Sequence, residues 1–402
     1  MENELGQNKI MIASLLAAGA LIAAAAQPVA DDRAGFVTTL GRDTIALESF
    51  TRSPSRFEGD IVLRVPGTVH FHYVLKLEDD GTVSRSVLDL EPLGVPEMAP
   101  RRVTLDFLRD SVVVTLDSAG GSRRIMRAAG KGAVPLLTTG FGASEGIYAS
   151  FGMYELLLSR LPIHANDTAK VVEVGALSGR MTTRYFLRPS TTQVAVDFFK
   201  IAWMHVTLDD SGHIVSADAS ETTEKTQTRR TAFIDVPSAA KEYAARDRAG
   251  KGMGLASPDT LVHAKLGPAN IAIEYGSPRR REREILGKVV PYDKVWRTGA
   301  NAATALSTDR ELTIGDKTIP VGQYTLWTLP KRSGVDLIIN RQVGQWGTEY
   351  DASKDLVHIP MTVSTASPPR ENFAVTLTGR GGSGELRIQW DTFVWSVPVT
   401  AK

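Results

Sequence analysis

From Ala34 to about Ile234, hydrophobic and polar residues alternate with a period of two. The runs Thr44–Phe50, Thr68–Leu77, Val103–Leu108 and Val112–Leu116 carry the pattern most cleanly. Alternation of this kind places one side of a strand against a core and the other toward water. Turn-forming pairs separate the runs at Gly59-Asp60, Asp80-Gly81, Arg109-Asp110, Gly120-Gly121 and Ser211-Gly212. The reading is an antiparallel meander, closed or half-closed as a barrel. One segment breaks the period. Between Ser144 and Arg160, Ile147, Phe151, Tyr154, Leu157 and Leu158 recur at helical spacing, and Pro162 follows. This predicts one helix over 144–160, placed to plug or cap the meander.

The stretch from Glu221 to Lys251 is polar and partly helical in pattern over Ala239–Arg246, and Gly250, Gly252, Gly254 and Ser257-Pro258 follow. A linker over 236–257 is predicted there. Strand patterns then return at Ile271–Tyr275, Gln323–Leu329, Val335–Asn340, Phe373–Thr378, Glu385–Trp390 and Thr392–Val399. The expectation is an all-β protein. A half-barrel with one helix spans 31–235, and a β-sandwich spans 258–402.

Length agrees with two cores, since 402 residues exceed what one usually serves. The net charge of +1 gives no reason to expect nucleic acid or an anionic membrane as partner. The apolar run Ile10–Ala26 follows Lys9 and ends in small residues, so residues 1–30 read as an export signal cleaved after Ala26 or Ala30. Glu2 and Glu4 weaken its basic start, and an uncleaved anchor is the alternative. The run is short and Ala-rich for a span, so no stable membrane span is expected after cleavage. The chain has no cysteine, which removes disulfides, thiolate metal sites, a lipoprotein cysteine and a cysteine nucleophile.

The densest candidate chemistry lies in Val290–Thr304, where Tyr292, Trp296, Arg297 and Asn301 surround Gly299. Arg297 could take a carboxylate or phosphate in bidentate fashion, Asn301 a ligand amide or hydroxyl, and Tyr292 or Trp296 could form an aromatic wall. The same residues can staple a long loop, Arg on Trp and Asn on backbone. The two readings stand close, with a slight lean to the staple.

Gly142-Ala-Ser-Glu-Gly146 matches a nucleophile elbow with Ser144 as the weak catalytic candidate. No repeated strand–helix alternation surrounds it, and Ser144 serves equally as a helix cap, the better reading. The overlapping glycines 140, 142 and 146 miss a dinucleotide loop by one position, so no cofactor is indicated. His70 and His72 share one face of a strand and could hold a metal if a neighbouring strand supplied a third ligand; solvated imidazoles are the simpler reading. Asp351, Asp355 and His358 form a polar group after Trp346-Gly347 that a polar loop explains as well. Arg279–Glu284 mixes both signs of charge and reads as a solvated loop. The tryptophans 327, 346, 390 and 395 could offer a sugar platform, with core packing the default.

The residues Tyr275-Gly-Ser-Pro278, Gly287, Val290-Pro-Tyr292, Val295–Asn301, Ala303-Thr304, Gly322–Leu326, Trp346-Gly347, Tyr350-Asp351, Glu371, Phe373 and Trp390 occur in an order that resembles the domain of unknown function 2911 family, over about Tyr275–Val399. The family often has Glu where this chain has Ala302, and a different pattern where it has Arg279–Arg283. The resemblance implies an exported bacterial protein, periplasmic or extracellular, and implies no activity. The remainder is only broadly similar to exported lipocalin-shaped or lipoprotein-carrier-shaped half-barrels. The leading expectation is a non-enzymatic binding protein for a small or extended ligand. The alternatives are a hydrolase acting through Ser144 or through the polar set Arg297, Asn301, Asp351 and His358, and an envelope scaffold. Oligomeric state is not legible.

Overall fold

The structure is a computed structural model that describes residues 32–129, 133–139, 148–198 and 202–401. Residues 1–30, which read as an export signal, and Ser144 with the glycines around it lie outside these residues. No helix among the described residues is long and apolar enough to cross a membrane.

The first part forms one sheet of fifteen strands. Its order runs back along the chain from the edge strand Gly121–Ala128 to Asp32–Leu40, which pairs with Gln227–Thr231. It then runs back again to Thr168–Gly175, and Val134–Leu136 closes the order as a parallel neighbour. Two meanders are thus joined where the first strand meets the last. The alternation reads true in detail. Along Val69–Leu77, Val69, Phe71, Tyr73 and Leu75 are buried, and His70 and His72 take the other face.

One expected turn is absent. Gly59-Asp60 lies inside the strand Arg56–Leu63. A Cβ at Gly59 would sit 2.5 Å from the Tyr73 hydroxyl and 2.4 Å from the Ser49 carbonyl. The glycine is there to let the Tyr73 side chain cross the strand. The sheet curls strongly. Gly179, in the turn before Met181–Ser190, approaches Val114 near the opposite end, with an imagined Cβ 2.4 Å from Cγ2 of Val114.

The inside of the curl holds one apolar core and the helix α1, Phe151–Leu158. The helix begins at Phe151 rather than Ser144, because Tyr148–Ala149 pair with Thr138–Thr139 and Ser150 is the cap, accepting from the Met153 amide at 3.1 Å. All eight residues of α1 are buried, so it is a plug rather than an amphipathic surface helix.

Two carboxylates fix the plug. Glu48 on the sheet accepts from the Ser150 hydroxyl (2.5 Å), the Tyr73 hydroxyl (3.0 Å) and the amides of Phe151 (2.7 Å) and Gly152 (3.2 Å). It thereby satisfies the free amides at the helix N-terminus. Gly152 is needed for this approach, since a Cβ would lie 2.9 Å from Phe50 and 3.0 Å from the Glu48 carboxylate. Burial pushes the Glu48 carboxyl up to about 7, against the pull of these four donors. Glu155, on α1 itself, accepts from Arg230 (2.5 Å) and the Ile214 amide (2.6 Å).

The stretch 236–257 opens with a second helix, α2 (Val236–Arg248), capped by Asp235. Its buried Val236 and Ala240 pack with Val62, and Asp247 accepts from the Thr68 amide at 2.6 Å.

The second part is one sheet of nine strands built around the long hairpin Asp355–Arg380 and Ser383–Ala401. It folds so that Asp259–Leu266 lies against both long strands, giving two layers over one core. Trp390 and Trp395 are fully buried in it, and Trp327 in a smaller cluster with Ala303 and Ile338, which uses all three for packing; Trp346 alone of the four is exposed. The fold is therefore all-β, as the alternation predicted.

Candidate functional site

Most of the side chains singled out in the Val290–Thr304 motif make packing or hydrogen-bond contacts within the protein. Trp296 is buried, edge-on to Phe373 (5.3 Å) and stacked on Trp390 (6.2 Å). Its backbone exchanges two hydrogen bonds with Thr328, at 2.8 and 2.9 Å. The Thr304 hydroxyl donates to the Thr298 carbonyl at 2.7 Å. Asn301 has φ +62, a conformation Asn tolerates better than most residues. Its side-chain amide donates to the Ser257 carbonyl (3.1 Å), and its own carbonyl accepts from Gly347 (3.0 Å). Tyr292 lies under the Arg332 guanidinium, 5.0 Å from the ring centre. These contacts close the loop and tie it to the segment just before the strand Asp259–Leu266.

Arg297 differs. Its Nε and Nη1 are hidden from solvent, and no described residue accepts a hydrogen bond from either. Its stem lies against Gly347, where a Cβ would be 2.0 Å from Cδ of Arg297, so only glycine fits. Burial lowers its pKa to about 10, with Glu224 pulling the other way. A guanidinium remains charged at neutral pH, so this depression reads as the desolvation it bears.

Glu224 and Lys225 come from the turn between Ile214–Asp218 and Gln227–Thr231 of the first sheet. Burial holds the Glu224 carboxyl well above the usual carboxylate range, with Arg297 opposing. Lys225 has φ +57 and donates to the Ser220 carbonyl at 2.8 Å. Its ammonium falls to about 8, first through burial, then through Arg297 and Arg283, with Lys294 adding to the effect and Glu221 opposing it.

The segment Arg279–Glu284, expected to be a solvated loop, runs along the same junction. Arg281 is only 2% exposed and pairs through Nη1 with Asp43, while its Nε and Nη2 find no described acceptor. The Arg42 amide donates to the Arg281 carbonyl at 3.1 Å, and Arg42 pairs with Glu282 at 2.5 Å. Arg283 is lowered to about 10 by burial and then by Arg281. The two sheets therefore meet along a seam of mixed charge: Asp43, Glu224 and Lys225 on one side, Arg281, Arg283, Arg297 and Glu371 on the other.

Asp351 and His358 belong elsewhere. Asp355 accepts from His358 (2.9 Å), Tyr350 (2.6 Å) and Asn340 (2.7 Å), and Asp351 accepts from the Ser353 amide and hydroxyl. This set locks the 340–358 turn. None of its hydrogen bonds among the described residues goes to Arg297 or Asn301.

His70 and His72 find a third partner on the neighbouring strand. One oxygen of Asp60 is bonded to His70 Nε2 (2.9 Å) and to His72 Nδ1 (3.1 Å). The two histidines, with Asp89, Glu91 and Arg102, line an open groove of about 670 Å³. The imidazoles hold Asp60 down to about 2 against its burial, and Asp60 raises His72. Three groups elsewhere converge with metal-like spacing, Asp32, Glu155 and His213. Arg230 already provides their cation, 2.5 Å from Glu155 and 3.8 Å from Asp32.

Glu224, Lys225, Arg281 and Arg283 were not picked out by sequence reasoning. Glu224 and Lys225 lie more than seventy residues before Arg297 with nothing local to mark them, and Arg281 and Arg283 lie in the six-charge run Arg279–Glu284, which read as a solvated loop.

A two-sheet β protein with an underused guanidinium at its junction is the class this arrangement defines. Within it, residues 257–399 match the family described as "Protein of unknown function (DUF2911)". No curated protein matches the chain. Among solved structures, a DUF1089 family protein from Pseudomonas aeruginosa is similar at 15% identity and a TM-score of 0.31, over 43% of this chain and 89% of that one. A likeness of that size carries nothing about chemistry.

Proposed function

We propose that this is an exported protein that binds a ligand bearing an oxyanion, with Arg297 as the anchor at the junction of the two sheets. The observation that carries this reading is the pair of hidden Arg297 nitrogens with no described acceptor. A buried donor left unpaired costs about 1–3 kcal/mol, and more when charged. A fold that needed only a staple would be served better by an apolar side chain of equal length. Asn301, Trp296 and the Gly347 contact then act as the frame that holds the guanidinium still.

Export rests on the Ile10–Ala26 segment and its small-residue exit. Binding inside the first sheet is disfavoured by α1, which fills the concave side. The test is a thermal-shift panel of carboxylates, sulfates and phosphates on the full mature chain and on Arg297→Met. Stabilisation by at least one anion in the wild type, absent in the variant, is expected. No anion-dependent shift in either protein would remove the reading.

A further inference from the structure

We propose that the edge strand Gly121–Ala128 is a docking site for an extended acidic segment of another protein, which joins the fifteen-stranded sheet as one more strand. This goes beyond the oxyanion reading and does not depend on Arg297. The first observation is the edge itself. An edge strand leaves every second N–H and C=O unpaired, and proteins keep such edges short or covered. The other ends of the two large sheets follow that rule. Val134–Leu136 and Lys317–Ile319 have three residues each, and Asp259–Leu266 lies against both long strands of the second part. Gly121–Ala128 has eight residues, seven of them exposed.

The second observation is the sign of its charge. The strand carries Arg123, Arg124 and Arg127 and no carboxylate. None of the three makes an ion pair or hydrogen bond among the described residues. The strand beside it, Ser111–Ser118, has one acidic residue, Asp117, opposite Ser122. Asp106 and Asp89, on the next strands, are held by Arg85 and Arg102, and Asp110 in the preceding turn adjoins Arg109. Charge that only kept other strands away would serve with either sign. The register sets what can pair here. Arg123, Ile125 and Arg127 stand opposite Leu116, Val114 and Val112, on the core side, where Ile125 packs against the core. Arg124 and Met126 take the outer face, and Met126 is 67% exposed beside the buried Val113. Opposite charges and apolar pairs across strands are both stabilising. An antiparallel segment reading acidic, apolar, apolar, acidic, acidic would meet Arg127, Met126, Ile125, Arg124 and Arg123 in turn. A second copy of this chain fits worse, because edge-to-edge pairing centred on Ile125 sets Arg123 against Arg127.

The experiment is fluorescence anisotropy of a labelled peptide, Thr-Glu-Val-Val-Glu-Glu-Thr with both ends blocked, titrated with the full chain at low salt. Two further peptides are compared: one with lysine in place of each glutamate, and one N-methylated at both valines, which blocks hydrogen bonding on each edge. The protein is wild type or the double variant Arg123→Glu with Arg127→Glu, whose side chains are exposed and leave the core untouched. Wild type is expected to bind the glutamate peptide at least about tenfold more tightly than the lysine peptide, and N-methylation to weaken it by about tenfold or more. In the double variant the preference between glutamate and lysine peptides should reverse. Amide exchange over residues 122–128 should slow when the glutamate peptide is bound. Equal binding of the N-methylated peptide would mean attraction of charges without an added strand, and would overturn the proposal. So would glutamate-peptide binding unchanged in the double variant, which would place it elsewhere. No peptide bound would leave the arginines as guards of a bare edge, and a wild-type dimer that the double variant dissolves would put a second copy there; either result would overturn the proposal. None of these outcomes bears on Arg297.

Discussion

Glu48 and Arg297 are both charged groups withdrawn from water, one in each sheet, and the fold treats them in opposite ways. Glu48 is 4% exposed and receives four hydrogen bonds, two from hydroxyls and two from the amides that open α1. Arg297 sits in a loop that is otherwise fully tied, yet two of its nitrogens have no acceptor among the described residues. The first charge is part of the architecture: it orients the plug and completes a helix terminus. The second makes the architecture less stable than it could be. A buried group that is satisfied explains itself by folding; one that is not needs a reason outside folding.

The comparison breaks most visibly at Glu48. Glu48→Ala should lower unfolding free energy by about 4 kcal/mol, measured in urea near pH 5, because four donors are stranded around α1. A loss below about 1 kcal/mol would mean that the plug does not depend on this carboxylate.

Titration of the same group gives the next effect. Its folded pKa, about 7, is raised above the ordinary 4.5. A raised carboxyl contributes stability that is fully present below its unfolded value and is lost as pH rises through the folded one. Stability should therefore fall by about 3 kcal/mol between about pH 4.5 and 7.5, and Glu48→Gln should flatten that part of the profile. An identical slope in the variant would place the titration elsewhere.

Gly347→Ala sharpens the other side. The new methyl would meet Cδ of Arg297 at 2.0 Å and the Asn301 carbonyl at 2.6 Å, so the guanidinium must move. Anion affinity should drop by about tenfold or more, with a stability loss of about 1–2 kcal/mol. Retained affinity would show that the position of Arg297 is unimportant.

The smallest effect belongs to the half-exposed Asp60–His70–His72 set, which resembles neither extreme. Asp60 is lowered to about 2, so its contribution is present above its unfolded value and is lost as pH falls through about 2. His72 is raised, so its contribution is present below 6.5 and is lost as pH rises through its folded value. Asp60→Asn should thus cost most between about pH 4 and 6.5, and less than about 1 kcal/mol after solvent screening. A larger penalty above about pH 8 would contradict the assignment.

How much of this could be read beforehand follows from what is local. The alternation along Thr68–Leu77 was sufficient to assign Phe71 and Tyr73 to the core and His70 and His72 to the other face, because each assignment needs only the pleat. Gly59-Asp60 misled, because a glycine that admits a neighbouring ring looks like a turn when that neighbour is unknown. The helix was placed correctly by Phe151, Tyr154, Leu157 and Leu158, but its start was not, since Ser150 and the distant Glu48 set it together. Of the motif residues, Asn301 bonds backbone and Trp296 packs on Trp390 and Phe373, the contacts a staple would make, whereas Arg297 has two nitrogens with no described acceptor. That separation was illegible in sequence. It depends on Glu224 and Lys225, more than seventy residues earlier, and on which nitrogen atoms the fold happens to cover.

The central claim is that Arg297 is held at the expense of folding, and equilibrium unfolding of the full chain as wild type and Arg297→Met tests it most directly. The account requires the variant, without ligand, to be as stable as wild type or more stable, because a methionine fills the same channel against Gly347 without an unpaired charge. A loss of about 2 kcal/mol or more would mean that the guanidinium staples the fold, and the case for a binding site at this seam would end there.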